Sequence, residues 1–178
     1  MILQVDDRIL LQAAQDGDLD AFDALVRRHQ AAVYRVALRM LASQADAEDA
    51  TQETFVRAWR GLGRFRRESA VSTWLYRIAT RHCLDLLAAR RPTEDLERIE
   101  LDAGVEPAHA AEQRERLRAV TRAIAGLPDE QRAALVLREF EGLSYDQVAD
   151  VLNTSVPAVK GRIHRARLAV LKQTTAWR

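Results

Sequence analysis

The sequence predicts an all-α protein: two small helical domains joined by an acidic linker, the second ending in a helix-turn-helix. Three observations carry this. Apolar residues recur at helical spacing along nearly the whole chain, and strand alternation is almost absent. Only 7 Gly and 4 Pro interrupt 178 residues, which leans the chain toward helix. One stretch, PTEDLERIELDAGVEPAHAAE at 92–112, combines weak periodicity, two prolines and most of the acid, and reads as a linker. The expected boundaries are therefore 1–91, 92–111 and 112–178.

In chain order, a short helix runs from Asp6 to about Gln15 and stops at Gly17. Asp18 caps a longer one, whose apolar stripe is Leu19, Phe22, Leu25, Val26, Val33, Val36, Met40 and Leu41. A third runs from about Asp46 to Arg60, ending at Gly61 and Gly63, and the loop GLGRFRRES follows. Ser72 is the expected N-cap of a fourth helix reaching about Arg90, where Pro92 prevents easy continuation. In the second half a helix at about 112–125 stops at Gly126, and the next opens at Pro128 and stops at Gly142.

The last two helices carry the sharpest local signal. Ser144-Tyr145-Asp146-Gln147 fits a capping box, and the helix it opens buries Val148, Val151 and Leu152. Asn153-Thr154-Ser155 is a three-residue turn, with Asn suited to a left-handed backbone. Ser155 can cap the final helix, and Pro157 is tolerable in its first turn. Val156, Val159, Ile163 and Val170 form the inner face of that helix, while Lys160, Arg162, His164, Arg165 and Arg167 point outward. A short helix, a tight turn and a longer basic helix make a helix-turn-helix suited to duplex DNA. An ordinary α-hairpin with a solvated basic face is the plainer alternative.

The net charge of +1 conceals blocks of alternating sign. Residues 1–50 carry −4, 51–91 carry +6, 92–115 carry −6 and 116–178 carry +5. Two basic blocks held apart by an acidic one suit two surfaces for a polyanion, although solvated helix faces would give the same totals. No apolar run approaches the roughly 20 residues of a membrane span, and the N-terminus lacks a basic region, so a soluble cytoplasmic protein is expected. Cys83 is the single cysteine, which excludes a disulfide framework within the chain. No Gly-rich phosphate loop, metal-ligand spacing or nucleophile–base pair stands out, so no enzyme activity, metal or cofactor is expected.

The first basic block has a distinctive composition. Phe55, Trp59, Phe65, Trp74 and Tyr76 are interleaved with Arg57, Arg60, Arg64, Arg66, Arg67 and Arg77. Duplex readers need few aromatics, whereas single-strand binders combine a cationic track with rings on which unpaired bases stack. Phe55, Trp59 and Trp74 read mainly as core; Phe65, in a loop between arginines, is the stronger stacking candidate. On the third helix Asp49, Gln52 and Glu53 share one face at i, i+3 and i+4, as solvated surface or as a seat for a basic partner helix. Nothing else converges on Asp49 and Glu53 to make them metal ligands or an acid–base pair.

These blocks together resemble the extracytoplasmic-function (ECF) family of bacterial RNA polymerase sigma factors. ADAEDATQETFVRAWRGLGRF with TWLYRIATRHCLD is similar to the family's second domain. GLPDEQRAALVLREFEGLSYDQVADVLNTSVPAVKGRIHRARLAVL is similar to its fourth, in the same order and with a linker between. The resemblance implies an alternative sigma factor that binds core RNA polymerase, directs it to promoters and promotes strand opening. It implies that Asp49, Gln52 and Glu53 dock the β′ clamp helices. Arg64, Phe65, Arg66, Arg67, Trp74, Arg77, Arg81 and His82 would meet the single-stranded −10 element. Lys160, Arg162, His164, Arg165 and Arg167 would meet the −35 duplex, with the β flap held by the apolar first helices of the second domain. An anti-sigma factor is the further partner implied. Four positions depart from the family pattern: Thr51, Arg81, Pro157 and Gly161. Arg81 and Gly161 bear on base choice, so the roles carry over without a promoter sequence. The rival reading is a stand-alone helix-turn-helix regulator, which leaves the Arg–aromatic loop without a use.

Overall fold

The computed structural model describes residues 6–66, 69–90 and 108–174. Eight α-helices make up the described fold, with no strand among the described residues. They are α1 (Asp7–Gln15), α2 (Leu19–Leu41), α3 (Gln44–Gly61), α4 (Val71–Ala89), α5 (Ala108–Ala125), α6 (Asp129–Leu135), α7 (Tyr145–Val151) and α8 (Val156–Thr174). A 3₁₀ turn at Leu62–Arg64 ends α3, and a π turn at Val136–Phe140 extends α6. Most of the expected linker, and Arg67 in the loop, lie outside the described residues.

The ends of most helices are set by side chains that satisfy otherwise unpaired N–H groups. Asp6 accepts from the Arg8 amide, Asp18 from Asp20 and Ala21, and Ser43 from Asp46. Ser144 and Gln147 form the full capping box, with bonds of 3.1 and 2.8 Å. Two helices lack such a cap: α6, which follows Pro128, and α4. The latter begins at Val71 behind Ala70, which has no capping side chain, and Ser72 sits inside the first turn instead of capping it. Burial of Val71 draws the helix start forward past the better capping residue. At the other boundary α5 starts at Ala108, four residues before the expected start.

Two cores result. One lies within α1–α4 and joins Leu11, Leu25, Val33, Phe55, Leu62 and Leu75. Of the stripe on α2, Leu25, Val33, Val36, Met40 and Leu41 are buried as expected, Phe22 and Val26 are half-buried, and Leu19 is 66% exposed in the first turn. The other core runs through both halves: Val36, Met40, Leu41, Tyr76 and Cys83 pack with Leu127, Val136, Leu137, Val148 and Ile163. Full burial of side chains such as Met40 and Leu137 is worth roughly 1.5–3 kcal/mol each, so the two helical units share an apolar seam besides the connection along the chain. Cys83 lies in that core, and burial pushes its thiol up to about 12, which leaves it unreactive at neutral pH.

Candidate nucleic-acid interface

The helix-turn-helix forms as its sequence directs. After α7, Asn153 takes the left-handed conformation at φ 48°, and Ser155 Oγ accepts from the Ala158 amide to start α8. Val159, Ile163 and Ala166 bury the inner face of α8; Val156 and Val170 are only half-buried at its ends. Lys160, His164, Arg165 and Arg167 are exposed. Arg162 differs from the expected outward cation, because its side chain is largely covered and pairs with Glu130 of α6. Arg167 pairs with Glu139 of the π turn. Lys160 Nζ lies 5.5 Å from the centre of the Tyr145 ring, whose other neighbour is the Arg138 guanidinium at 4.6 Å. The Arg165 guanidinium folds back over Gly161, where a Cβ would meet its Nη1 at 3.3 Å.

The loop after α3 is built on a ring stack. Phe65 and Trp74 lie with centroids 4.6 Å apart and planes 23° from parallel. Phe65 is therefore half-buried, with one face already covered, rather than a free loop aromatic. Gln15 braces the same turn from α1, its Nε2 donating to the carbonyls of Leu62 (2.9 Å) and Phe65 (3.1 Å). Sequence reasoning missed this brace, since a polar residue at a helix end 50 positions away carries no local sign of its target. Arg64 and Arg66 flank the stack and are exposed, as is Arg81 on α4. Trp59 is 40% exposed, with its ring edge against Phe22 at 4.9 Å, and so is less buried than expected; Phe55 is core as expected.

Arg77 is placed differently from Arg81. Its guanidinium pairs with Asp150 of α7, across the seam. His82 is half-buried; burial chiefly, then the nearby Arg57 charge, holds its imidazole below the ordinary range and favours the neutral ring. Asp49 and Gln52 are exposed on α3, and Glu53 beside them accepts from Arg57 Nε at 2.7 Å. That hydrogen bond holds the Glu53 carboxyl below its usual range. Opposite them Ala47, Ala50, Thr54 and Ala58 are buried, so the acidic face is solvent-facing and the small face carries the packing.

Residues 25–93 match the family described as sigma-70 region 2, and residues 117–170 match sigma-70 region 4. The RNA polymerase sigma-H factor of Pseudomonas aeruginosa is 40% identical, over 97% of this chain and 95% of that protein. This chain belongs to the ECF family of RNA polymerase sigma factors. The ECF sigma-E factor of Escherichia coli K12 is 37% identical over 94% of this chain and 93% of its own length. Among solved structures, CnrH in complex with the cytosolic domain of CnrY superposes with a TM-score of 0.74 at 31% identity, covering 97% of this chain and 99% of that one. As an ECF sigma factor the protein binds core RNA polymerase and promoter DNA and acts in transcription initiation. No described helix is long and apolar enough to cross a membrane, and the described residues form no group of three or more metal-ligating side chains.

Proposed function

We propose that this sigma factor divides its work between residues 1–91 and 112–178, joined by the linker 92–111. Asp49, Gln52 and Glu53 receive the β′ clamp helices. Arg64, Phe65, Arg66, Arg67, Trp74, Arg77, Arg81 and His82 handle the −10 strand, and Lys160, Arg162, His164, Arg165 and Arg167 the −35 duplex. The apolar first helices of the second domain hold the β flap. The protein works in the cytoplasm as a binding factor with no catalytic step of its own. CnrH was solved with the cytosolic domain of CnrY, so a protein partner on this fold has a precedent; by the family resemblance, the partner that holds this chain inactive is an anti-sigma factor.

The observation that carries the −10 assignment is the Phe65–Trp74 stack flanked by the exposed Arg64 and Arg66. An unpaired base can extend such a stack or insert beside it while the guanidiniums meet its phosphates, and each stacked base is worth about 1–3 kcal/mol. Strand separation is near balance, so losing one stacking surface shifts opening by roughly tenfold or more. The Phe65→Ala/Arg66→Ala double variant, with purified core polymerase, is expected to form the closed complex and fail at opening in permanganate footprints. A template pre-melted at −10 should restore part of the transcription. Normal opening by that variant would leave the loop a solvated connector and remove the strand-capture role.

A further inference from the structure

Helix α1 precedes the stretch 25–93 that matches sigma-70 region 2, yet it reaches into the loop at the far end of α3. Its last residue, Gln15, donates from Nε2 to the carbonyls of Leu62 (2.9 Å) and Phe65 (3.1 Å), 47 and 50 positions away. We propose that Gln15 is a positioning residue for strand opening. It holds the Leu62–Phe65 turn in the shape in which the Phe65–Trp74 stack and Arg66 receive the unpaired strand. This inference rests on the −10 role proposed for that loop, and adds to it the group that keeps the loop in place.

The Gln15 amide stands on a fixed base. α1 closes as a Schellman motif: the Gly17 amide donates to the Ala14 carbonyl (3.1 Å) and the Asp18 amide to that of Ala13 (3.0 Å), with Gly17 at φ 101°. Asp18 also caps α2, so the reversal between the two helices is held from both sides. Leu11 and Ala14 on the inner face of α1 are buried in one core with Leu62 and Leu75, and Phe65 and Trp74 pack against that core. α1 therefore cannot move away from the loop without opening close-packed apolar contacts. A glutamine anchored in this way presents two N–H donors, which match two carbonyls three residues apart in a tight turn.

The two acceptors are the ones that set the shape of the loop. The Leu62 carbonyl also accepts from the Phe65 amide at 3.2 Å, the bond that closes the 3₁₀ turn. At Phe65 the chain leaves helical geometry, with φ −72° and ψ 113°. The Phe65 carbonyl lies in the peptide plane shared with the Arg66 N–H, so fixing that oxygen fixes the direction in which Arg66 departs. The same bond holds the Phe65 backbone where its ring meets Trp74. Gly61 and Gly63 flank Leu62 and bring no side chain to restrain the turn, which leaves the restraint to contacts from outside the loop. A loop ordered before the strand arrives spares strand capture the entropy of ordering it. Loss of the brace should therefore slow opening while leaving the duplex contacts of α8 as they are.

The test uses the full chain with core polymerase, circular dichroism serving as the fold control. Gln15→Met keeps the length and the apolar stem but has no donor; Gln15→Glu sets an ionised carboxylate against the same carbonyls. Permanganate reactivity at −10 should fall roughly three- to tenfold with Gln15→Met, the scale of one net hydrogen bond, and further with Gln15→Glu. Closed-complex formation should match wild type, and a template pre-melted at −10 should restore part of the transcription. Added to Phe65→Ala/Arg66→Ala, Gln15→Met should bring no further loss, because the groups it positions are already gone. A residue that only stabilised the fold would add its own loss to that of the loop variant. If Gln15→Met fails to fold, Gln15→Glu carries the same comparison. Normal opening by a folded Gln15 variant, with the loop variant defective, would overturn the brace and leave the −10 role standing. Additive losses would overturn it as well. Normal opening by the loop variant would refute the −10 role, and the brace would fall with it.

Discussion

The acidic face of α3 and the basic face of α8, the surfaces proposed for polymerase and for DNA, are prepared in opposite ways. On α3, Asp49 and Gln52 stand exposed with no ion pair among the described residues, and only Glu53 is engaged, by Arg57 one turn on. On α8, Arg162 and Arg167 already rest on Glu130 and Glu139, and Lys160 on Tyr145. Short carboxylates near the backbone present a fixed pattern to another protein. Long cations must give up internal partners to reach phosphate. On the proposed assignment, the protein-facing surface depends on geometry, whereas the DNA-facing surface is tuned by competition within the chain.

The sharpest way to break this contrast is charge reversal on α3. Asp49→Arg is expected to weaken core polymerase binding by roughly a hundredfold or more, because like charges brought together at an interface cost several kcal/mol. The residue is exposed and its substitution touches no packing, so the circular dichroism spectrum and melting temperature should stay as they are. Pull-down of core enzyme checks the first expectation and a thermal melt the second. Full retention of polymerase by the folded variant would remove α3 from the interface.

On α8 the expected losses are smaller and of two kinds. Arg165→Ala should cost about 1–3 kcal/mol at one base pair of the −35 element and relax choice there, as expected of a base-edge contact. Lys160→Ala should weaken all sequences alike and lower the salt slope by about one, the mark of a phosphate contact. Binding measured across −35 variants at several salt concentrations separates the two. Relaxed specificity with Lys160→Ala alone would exchange the roles.

What the sequence made legible divides along the same line. Local chemistry was readable: the capping box at Ser144, the left-handed Asn153, and the stops at Gly17 and Gly142 all follow from near neighbours. The blocks that identify the family were equally readable, since they lie within short windows. Long-range pairing was not. Ser72 is the better capping residue, yet the burial of Val71 decides where α4 starts. Glu130, Glu139 and Asp150 each hold a cation proposed for DNA contact, across separations that carry no periodic signal. The π turn has no sign in the sequence, because VLREF reads as ordinary helix and the contact of Phe140 with Arg39 of α2 is long-range.

Competition within the chain predicts a gain rather than a loss at two of those carboxylates. Glu130→Gln or Glu139→Gln removes the internal partner of Arg162 or Arg167, and affinity for −35 duplex should rise roughly two- to fivefold at low salt, the scale of a partly exposed ion pair. Asp146→Asn is the control, since Asp146 is exposed on the same unit and holds no cation among the described residues. An equal gain with Asp146→Asn would assign the effect to net charge and not to the release of a paired arginine.

The smallest effect concerns Gly161, where the two surfaces differ most in local packing. Glycine inside a helix is about 1 kcal/mol less favourable than alanine, so Gly161→Ala should stabilise α8 by that amount. For a chain of this size that corresponds to a melting temperature higher by about 2–4 °C. The new Cβ would meet Arg165 Nη1 at 3.3 Å, but that atom is the far end of a flexible side chain and can swing away. The expected result is a higher melting temperature with Arg165 displaced from the helix surface and −35 affinity within about twofold of wild type, as a side chain that must leave its resting place to reach DNA allows. A melting temperature that stays level or falls would mean that the resting contact of Arg165 over the bare backbone matches the propensity gain. In that case Arg165 is held by its own helix as firmly as Arg162 and Arg167 are held by Glu130 and Glu139, and every arginine on this face competes with an internal contact.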